Sequence, residues 1–136
     1  MTDAISDRID RTAMRYVCLG YMDAPAWEAL SLGEREAYLA ECRAYDELLA
    51  ESGHVVAREA LDCEENAATL KLSHGGADVN PGCLAAAARP PLRGILVIEA
   101  NDMNHAIQLL SPHPAIRRGA VVEVRPASPL SRADAG

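Results

Sequence analysis

Apolar and polar positions first settle into a pattern at Met14–Met22 (MRYVCLGYM), where β-branched, aromatic and aliphatic residues together predict a strand. Asp23-Ala-Pro25 breaks it. Ser31-Leu-Gly-Glu34 has the form of a capping box, in which the serine hydroxyl accepts a backbone N–H and the glutamate reaches back. Tyr38, Cys42, Tyr45 and Leu49 follow at spacings of 4, 3 and 4, one stripe of an amphipathic helix. Gly53 stands where a left-handed C-cap is wanted, so the pattern predicts a helix over 32–52.

A second strand is expected over 54–61 (HVVAREAL), and 67–73 (AATLKLS) alternates like a third. His74-Gly-Gly76 is turn chemistry, since glycine tolerates positive φ. Residues 78–93 are the least regular stretch; their prolines exclude a long helix or a central strand. Ile95–Ala100 (ILVIEA) is a near-continuous apolar run, as a central strand requires. Asp102 then caps a second helix with Met103, Ala106, Ile107 and Leu110 as its buried stripe, ended by Pro112 and Pro114. Residues 120–125 (AVVEVR) form the last strand. The polar run 1–13 reads as a flexible extension and 127–136 as a flexible tail, leaving one domain over 14–126.

Two βαβ-like halves, each with one helix, predict an α+β fold: a ferredoxin-like split βαβ with an inserted hairpin. Both helices then cover one face of an antiparallel sheet. On the last strand Val122 and Val124 oppose Glu123 and Arg125; on the first, Tyr16, Cys18, Gly20 and Met22 oppose Arg15, Val17, Leu19 and Tyr21. Both faces keep apolar character, and an uncovered face of this kind predicts a homodimer.

Composition narrows the function. The 136 residues suit one domain, and 49% are hydrophobic, but only 4% are aromatic and none is Phe, so the core must be built from aliphatic residues around Trp27 and the tyrosines. A net charge of −7 argues against nucleic acid as a partner, because phosphate binding relies on Lys and Arg. No apolar run approaches the ~20 residues of a membrane span. Cys18, Cys42, Cys63 and Cys83 form no C-x-x-C and no secretory signal precedes them, which fits reduced thiols and a cytoplasmic location.

His54, His74, His105 and His113 show no metal-ligand spacing, so neither a metal nor another cofactor is expected. His105 is expected to be exposed on the second helix. His113, between two prolines at a helix end, either sits at a cleft as an acid–base group or caps the last helical carbonyls. Tyr21 and Asp23 end the first strand, a frequent ligand position, although Asp23 is equally a turn or cap residue. Arg58 and Glu59 alternate, so one of them faces inward; a buried Glu59 needs a partner or a raised pKa. Glu99, Glu123 and Arg125 read either as a salt-bridged dimer face or as a clamp for a substrate carboxylate. The candidate catalytic residues are therefore Asp23, His113 and Glu59, and the candidate substrate-binding residues Tyr21 and Arg125.

Met14–Asp23, Trp27–Ser31, Ser52–Leu61, Gly94–Asp102 and His113–Pro126, taken in order, resemble the YCII-related family and its DGPF subgroup. The resemblance implies a dimeric α/β barrel with two sheets facing each other. It also implies small cytoplasmic proteins, one relative in the wider group being a dehydrochlorinase of a chlorinated hydroxyhydroquinone with a proposed His/Asp catalytic pair. Some DGPF members are associated with sigma factors. The chain departs from that pattern: Gly82-Cys-Leu-Ala85 stands where Asp-Gly-Pro-Phe is expected, and 32–52 contains no His. Two functions follow as expectations. One is a small-molecule-binding homodimer, of lyase or isomerase type and cofactor-independent; the other is a non-catalytic regulatory or interaction protein, or a diverged inactive paralogue.

Overall fold

The first strand of the chain lies between two strands from its far end. Strand β1 (Met14–Tyr21) pairs antiparallel with β5 (Leu92–Ala100) on one side and β6 (Val121–Pro126) on the other, with Cys18 opposite both Leu96 and Val124. Strand β2 (Val55–Ala60) pairs antiparallel with β5, giving the sheet order β2-β5-β1-β6. A separate hairpin joins β3 (Ala68–Ser73) to β4 (Gly76–Pro81). Its turn puts His74 at φ 46° and Gly75 at φ 85°, both left-handed. The computed structural model describes residues 13–62, 64–84 and 90–128. The expected extension and tail lie outside these residues except for Ala13, Ala127 and Ser128, as does 85–89 of the irregular stretch.

Four α-helices are described: α1 (Ala24–Glu28), α2 (Leu32–Glu51), α3 (Met103–Leu110) and α4 (Pro114–Arg117). Both bonds of the expected capping box form on α2. Ser31 Oγ accepts from Glu34 N–H at 3.1 Å, and Glu34 Oε1 accepts from Ser31 N–H at 2.7 Å. The helix runs to Glu51 and Gly53 follows at φ 84°. Tyr38 and Leu49 are buried and Cys42 and Tyr45 half-buried, the stripe that the spacing required.

One sheet face packs against the helices. Tyr16, Cys18, Leu96 and Ile98 meet Leu49 and Leu109, with Val122 and Val124 packed against the cluster. Leu49, Ile98 and Leu109 are fully buried, each stabilising the fold by about 2–3 kcal/mol relative to exposure. The opposite face carries Arg15, Val17 and Leu19 of β1 and Ile95, Val97 and Glu99 of β5, by strand alternation. There Arg15 Nε stands 3.6 Å from Glu99, an ion pair too long to be a hydrogen bond.

Strand β1 ends before Asp23-Ala-Pro25 as expected, and Pro25 lies in the first turn of α1, where its missing N–H would have had no helical partner. Two expectations about α3 need correction. Ile107 is 48% exposed, and the buried stripe of α3 is instead His105, Ala106, Leu109 and Leu110. His105 is therefore buried, not exposed. Its Nδ1 accepts from Asn101 N–H at 3.0 Å while its own N–H donates to Asp102 Oδ1 at 2.8 Å, so the ring helps close the N-terminus of α3. His54 is also fully buried; its Nδ1 lies 2.9 Å from the Glu99 carbonyl, which can only accept, so that nitrogen carries the proton.

The hairpin has two unlike faces. Ala68, Leu70 and Leu72 stand opposite Pro81, Val79 and Ala77, whereas Thr69, Lys71 and Ser73 stand opposite Asn80, Asp78 and Gly76. The apolar face is open: Leu70 is 62% and Leu72 83% exposed.

Candidate functional site

A cavity of about 310 Å³ opens where the sheet ends beneath α2 and α4. Its floor comes from the C-terminal ends of β1 and β2 and the N-terminal ends of β5 and β6, contributing Cys18, Ala60, Leu96 and Val122. Trp27 of α1, Tyr38, Cys42 and Asp46 of α2, and Ala115 and Ile116 of α4 close the other side. The lining is predominantly apolar, with a few polar groups at fixed points, which is the usual make-up of a small-molecule site.

Asp46 is the centre of the polar part. It lies one turn beyond Cys42 on the buried stripe of α2 and is only 6% exposed. A carboxylate in such a place is costly unless its oxygens are satisfied. Two donors meet it: Arg58 Nε at 2.8 Å on Oδ2 and His113 Nε2 at 2.9 Å on Oδ1. Arg58 reaches it because the pairing of β2 with β5 is irregular between Val55 and Ala57. That irregularity sets Arg58 opposite Leu96, a residue of the helix-covered face.

His113 is the N-cap of α4, and Pro114 follows it as the first helical residue. Its Nδ1 accepts from Ala115 N–H at 3.1 Å. A backbone N–H can only donate, so Nδ1 carries the lone pair and Nε2 the proton, which is donated to Asp46. Both ring nitrogens are thus engaged. Tyr45 meets the imidazole edge-on at 5.3 Å and donates its hydroxyl to the Leu109 carbonyl at 2.6 Å, holding α2 to α3.

Aromatic and thiol groups complete the wall. Trp27 packs edge-on against Tyr38 at 5.9 Å, and Arg35 lies 5.4 Å above the indole while its Nε donates to the Trp27 carbonyl. Burial pushes the Tyr38 hydroxyl well above the usual phenol range, with the neighbouring Cys42 adding to it. Burial likewise raises the Cys42 thiol, and it pushes Cys18 up to about 12 with the nearby Asp46 charge reinforcing it. These groups are neutral at physiological pH.

Of the residues singled out from sequence, His113, Glu59 and Tyr21 line this cavity. Both Arg58 and Glu59 are exposed, but Glu59 stands opposite Ile95 whereas Arg58 stands opposite Leu96 and reaches the buried Asp46, so Arg58 is the inward member of the pair. Tyr21 donates its hydroxyl to Glu123 Oε1 at 3.4 Å. Asp23 and Arg125 are not among the residues that line the cavity. Asp23 occupies the N-cap position of α1 without a side-chain cap bond, and Arg125 is exposed on β6 opposite Val17. Asp46 and Arg93 were missed, and Arg58 was weighed only as the alternative to Glu59. The available signal for Asp46 was a lone carboxylate spaced four from Cys42 and eight from Tyr38 on an otherwise apolar stripe.

No group of three His, Cys, Asp or Glu side chains suited to a metal ion occurs among the described residues, and no described helix is long and apolar enough to cross a membrane. The fold and cavity define a mixed α/β domain with an antiparallel sheet, helices on one face and a pocket at the sheet end. The family model described as the YCII-related domain matches residues 14–129, and the chain belongs to that family. The comparison with curated proteins gives no match.

Proposed function

We propose that this YCII-related protein is a small-molecule-binding homodimer whose cavity carries cofactor-independent acid–base chemistry of lyase or isomerase type. The observation that carries the reading is the open cavity of about 310 Å³ with Asp46, held by Arg58 and His113, on its wall. Asp46 is the proton acceptor: it faces the cavity and keeps lone pairs beyond the two that its donors use. His113 is the positioning residue, because both its nitrogens are already bonded. Within this reading 14–126 is a ferredoxin-like domain of DGPF type that lacks the name-giving motif, flanked by extensions at 1–13 and 127–136. Two copies form a cytoplasmic dimeric barrel through their open sheet faces.

One feature favours a second reading, in which the cavity binds without turnover and the protein is regulatory. Asp46, Arg58 and His113 already satisfy one another, as purely structural groups would. A thermal-shift screen against a metabolite panel separates the cases. A ligand at 100 times its Kd adds about 2.7 kcal/mol of stability. If no compound moves the Tm, the ligand reading fails. If a hit binds but wild type and Asp46→Asn leave it equally unchanged over hours, the acid–base assignment fails and the regulatory reading stands.

A further inference from the structure

The cavity wall carries an arginine that has no ion pair among the described residues. Arg93 lines the cavity, and the Arg93 Nε is buried from solvent with no hydrogen-bond partner among the described residues. No carboxylate in those residues comes within 4.0 Å of its guanidinium nitrogens, whereas Arg15, Arg58 and Arg118 each have one. The position is a structural irregularity as well. Gly20 pairs with Gly94 but Tyr21 with Leu92, so Arg93 is the extra residue of a bulge, a device that re-aims a side chain at the rim of a sheet. Arg93 itself is half-buried, so its guanidinium end is reachable from the cavity. A buried donor without a partner is costly and marks a position that packing alone does not account for.

The neighbouring charges do not remove this imbalance. Asp46 is engaged by Arg58 and His113. Glu59 lines the cavity too, but it is exposed, so solvent screens its charge, and it makes no ion pair with Arg93. The remaining walls are largely aliphatic and aromatic, and Tyr38, Cys18 and Cys42 are neutral. A guanidinium presents parallel N–H donors that match a carboxylate in a bidentate fork. A cavity of about 310 Å³ lies at the small end of ligand pockets, which suits a compact acid.

From these features we infer that the cavity takes a small monocarboxylate with an apolar body, its carboxylate on Arg93 and its body against Trp27, Leu96 and Ile116. This rests on the cavity being a ligand site, and it places the anion on a residue separate from the Asp46 cluster.

Benzoate, hexanoate and 3-phenylpropanoate serve as probes beside benzamide, hexanamide and 3-phenylpropanamide, titrated into full-length 15N-labelled protein. The acids are expected to shift the Arg93 Nε–H resonance and to bind at least tenfold more tightly than their amides. Arg93→Gln removes that preference and Arg93→Lys keeps part of it. The Tm of ligand-free Arg93→Gln is expected to equal or exceed that of wild type, because an unsatisfied charge has gone. Equal binding of acids and amides overturns the anion assignment and leaves the cavity a ligand site. Acid binding unchanged in Arg93→Gln places the anion elsewhere and overturns it also. A lower Tm in Arg93→Gln with no acid-induced shift in wild type assigns Arg93 a structural role. Binding of neither class overturns this inference and the ligand reading together. Should Arg93→Gln not fold, Arg93→Lys and the wild-type Nε–H signal decide between the same outcomes.

Discussion

His113 Nε2 lies 2.9 Å from Asp46 Oδ1, joining positions 67 residues apart. The contact fixes α4 against α2 across the cavity, and the backbone N–H of Ala115 fixes which nitrogen carries the proton. A residue that first reads as a free acid–base group in a Pro-His-Pro turn is thereby turned into the partner that orients a carboxylate.

The coupling of this pair is measurable. Asp46→Asn leaves one of the two donors facing an amide N–H and is expected to cost about 1–3 kcal/mol in urea unfolding. His113→Asn retains the capacity to cap α4, since Asn is a good N-cap residue, but it gives up the reach to Asp46. A double-mutant cycle should return an interaction of about 0.5–3 kcal/mol. Strict additivity of the two substitutions would mean that the contact does not stabilise the fold.

The capping box predicts an acid limb. The backbone N–H of Ser31 bonded to Glu34, and then its hydroxyl, hold the Glu34 carboxyl below its ordinary value. The unfolded chain binds that proton more tightly. The stability Glu34 contributes is therefore complete above the unfolded pKa of about 4.3 and is lost as pH falls through the lower folded value. Glu34→Gln should flatten the stability curve in that window alone. Ser31→Ala should cost about 1 kcal/mol at neutral pH as well, because an orphan N–H of the helix loses its acceptor.

Much of the framework was legible because local chemistry and tertiary packing agree. Ser31, Glu34 and Gly53 bound α2 in sequence and in space, and the alternation of Val122 with Glu123 sorted the faces of β6 correctly. The failures share a physical cause. The inward turn of Arg58 depends on an irregular strand pairing, and the role of Asp46 on partners 12 and 67 residues away. The irregular pairing leaves no mark in local periodicity, and the spacing that puts Asp46 on the apolar stripe does not name its partners. Ile107 and Leu109 exchanged roles because both fit an apolar helix and only the sheet beneath decides which is covered. Strand β4 had no delimited signal, since Gly76, Asp78, Asn80 and Pro81 all disfavour strands and only pairing with β3 holds them.

Thiol reactivity checks the cavity floor. Cys18 is 3% exposed with its thiol pushed up to about 12, and the thiolate is the reactive form. Iodoacetamide at pH 8.5 followed by peptide mass analysis should leave Cys18 unmodified in the native protein and Cys42 slow to react. Because the folded state prefers the neutral thiol, its stabilising effect is present below the unfolded value of about 8.5 and fades as pH rises towards 12. Rapid native labelling of Cys18 would show that burial is not as deep as the packing requires.

The proposed dimer makes the last prediction. A two-stranded hairpin is marginal by itself in water, yet β3 and β4 line Leu70, Leu72 and Val79 along one face with exposures of 62%, 83% and 59%. Val17, Leu19, Ile95 and Val97 occupy the uncovered face of the main sheet by the same alternation. One two-fold partner that covers both surfaces removes both liabilities. Leu72→Asp touches nothing in the protomer core, so it should leave the far-UV spectrum unchanged while shifting sedimentation from dimer towards monomer. Val97→Glu should act the same way from the sheet. Wild-type protein that sediments as a stable monomer at micromolar concentration would remove the homodimer reading. In that case the apolar hairpin face would have to be covered by something other than a second copy of the chain.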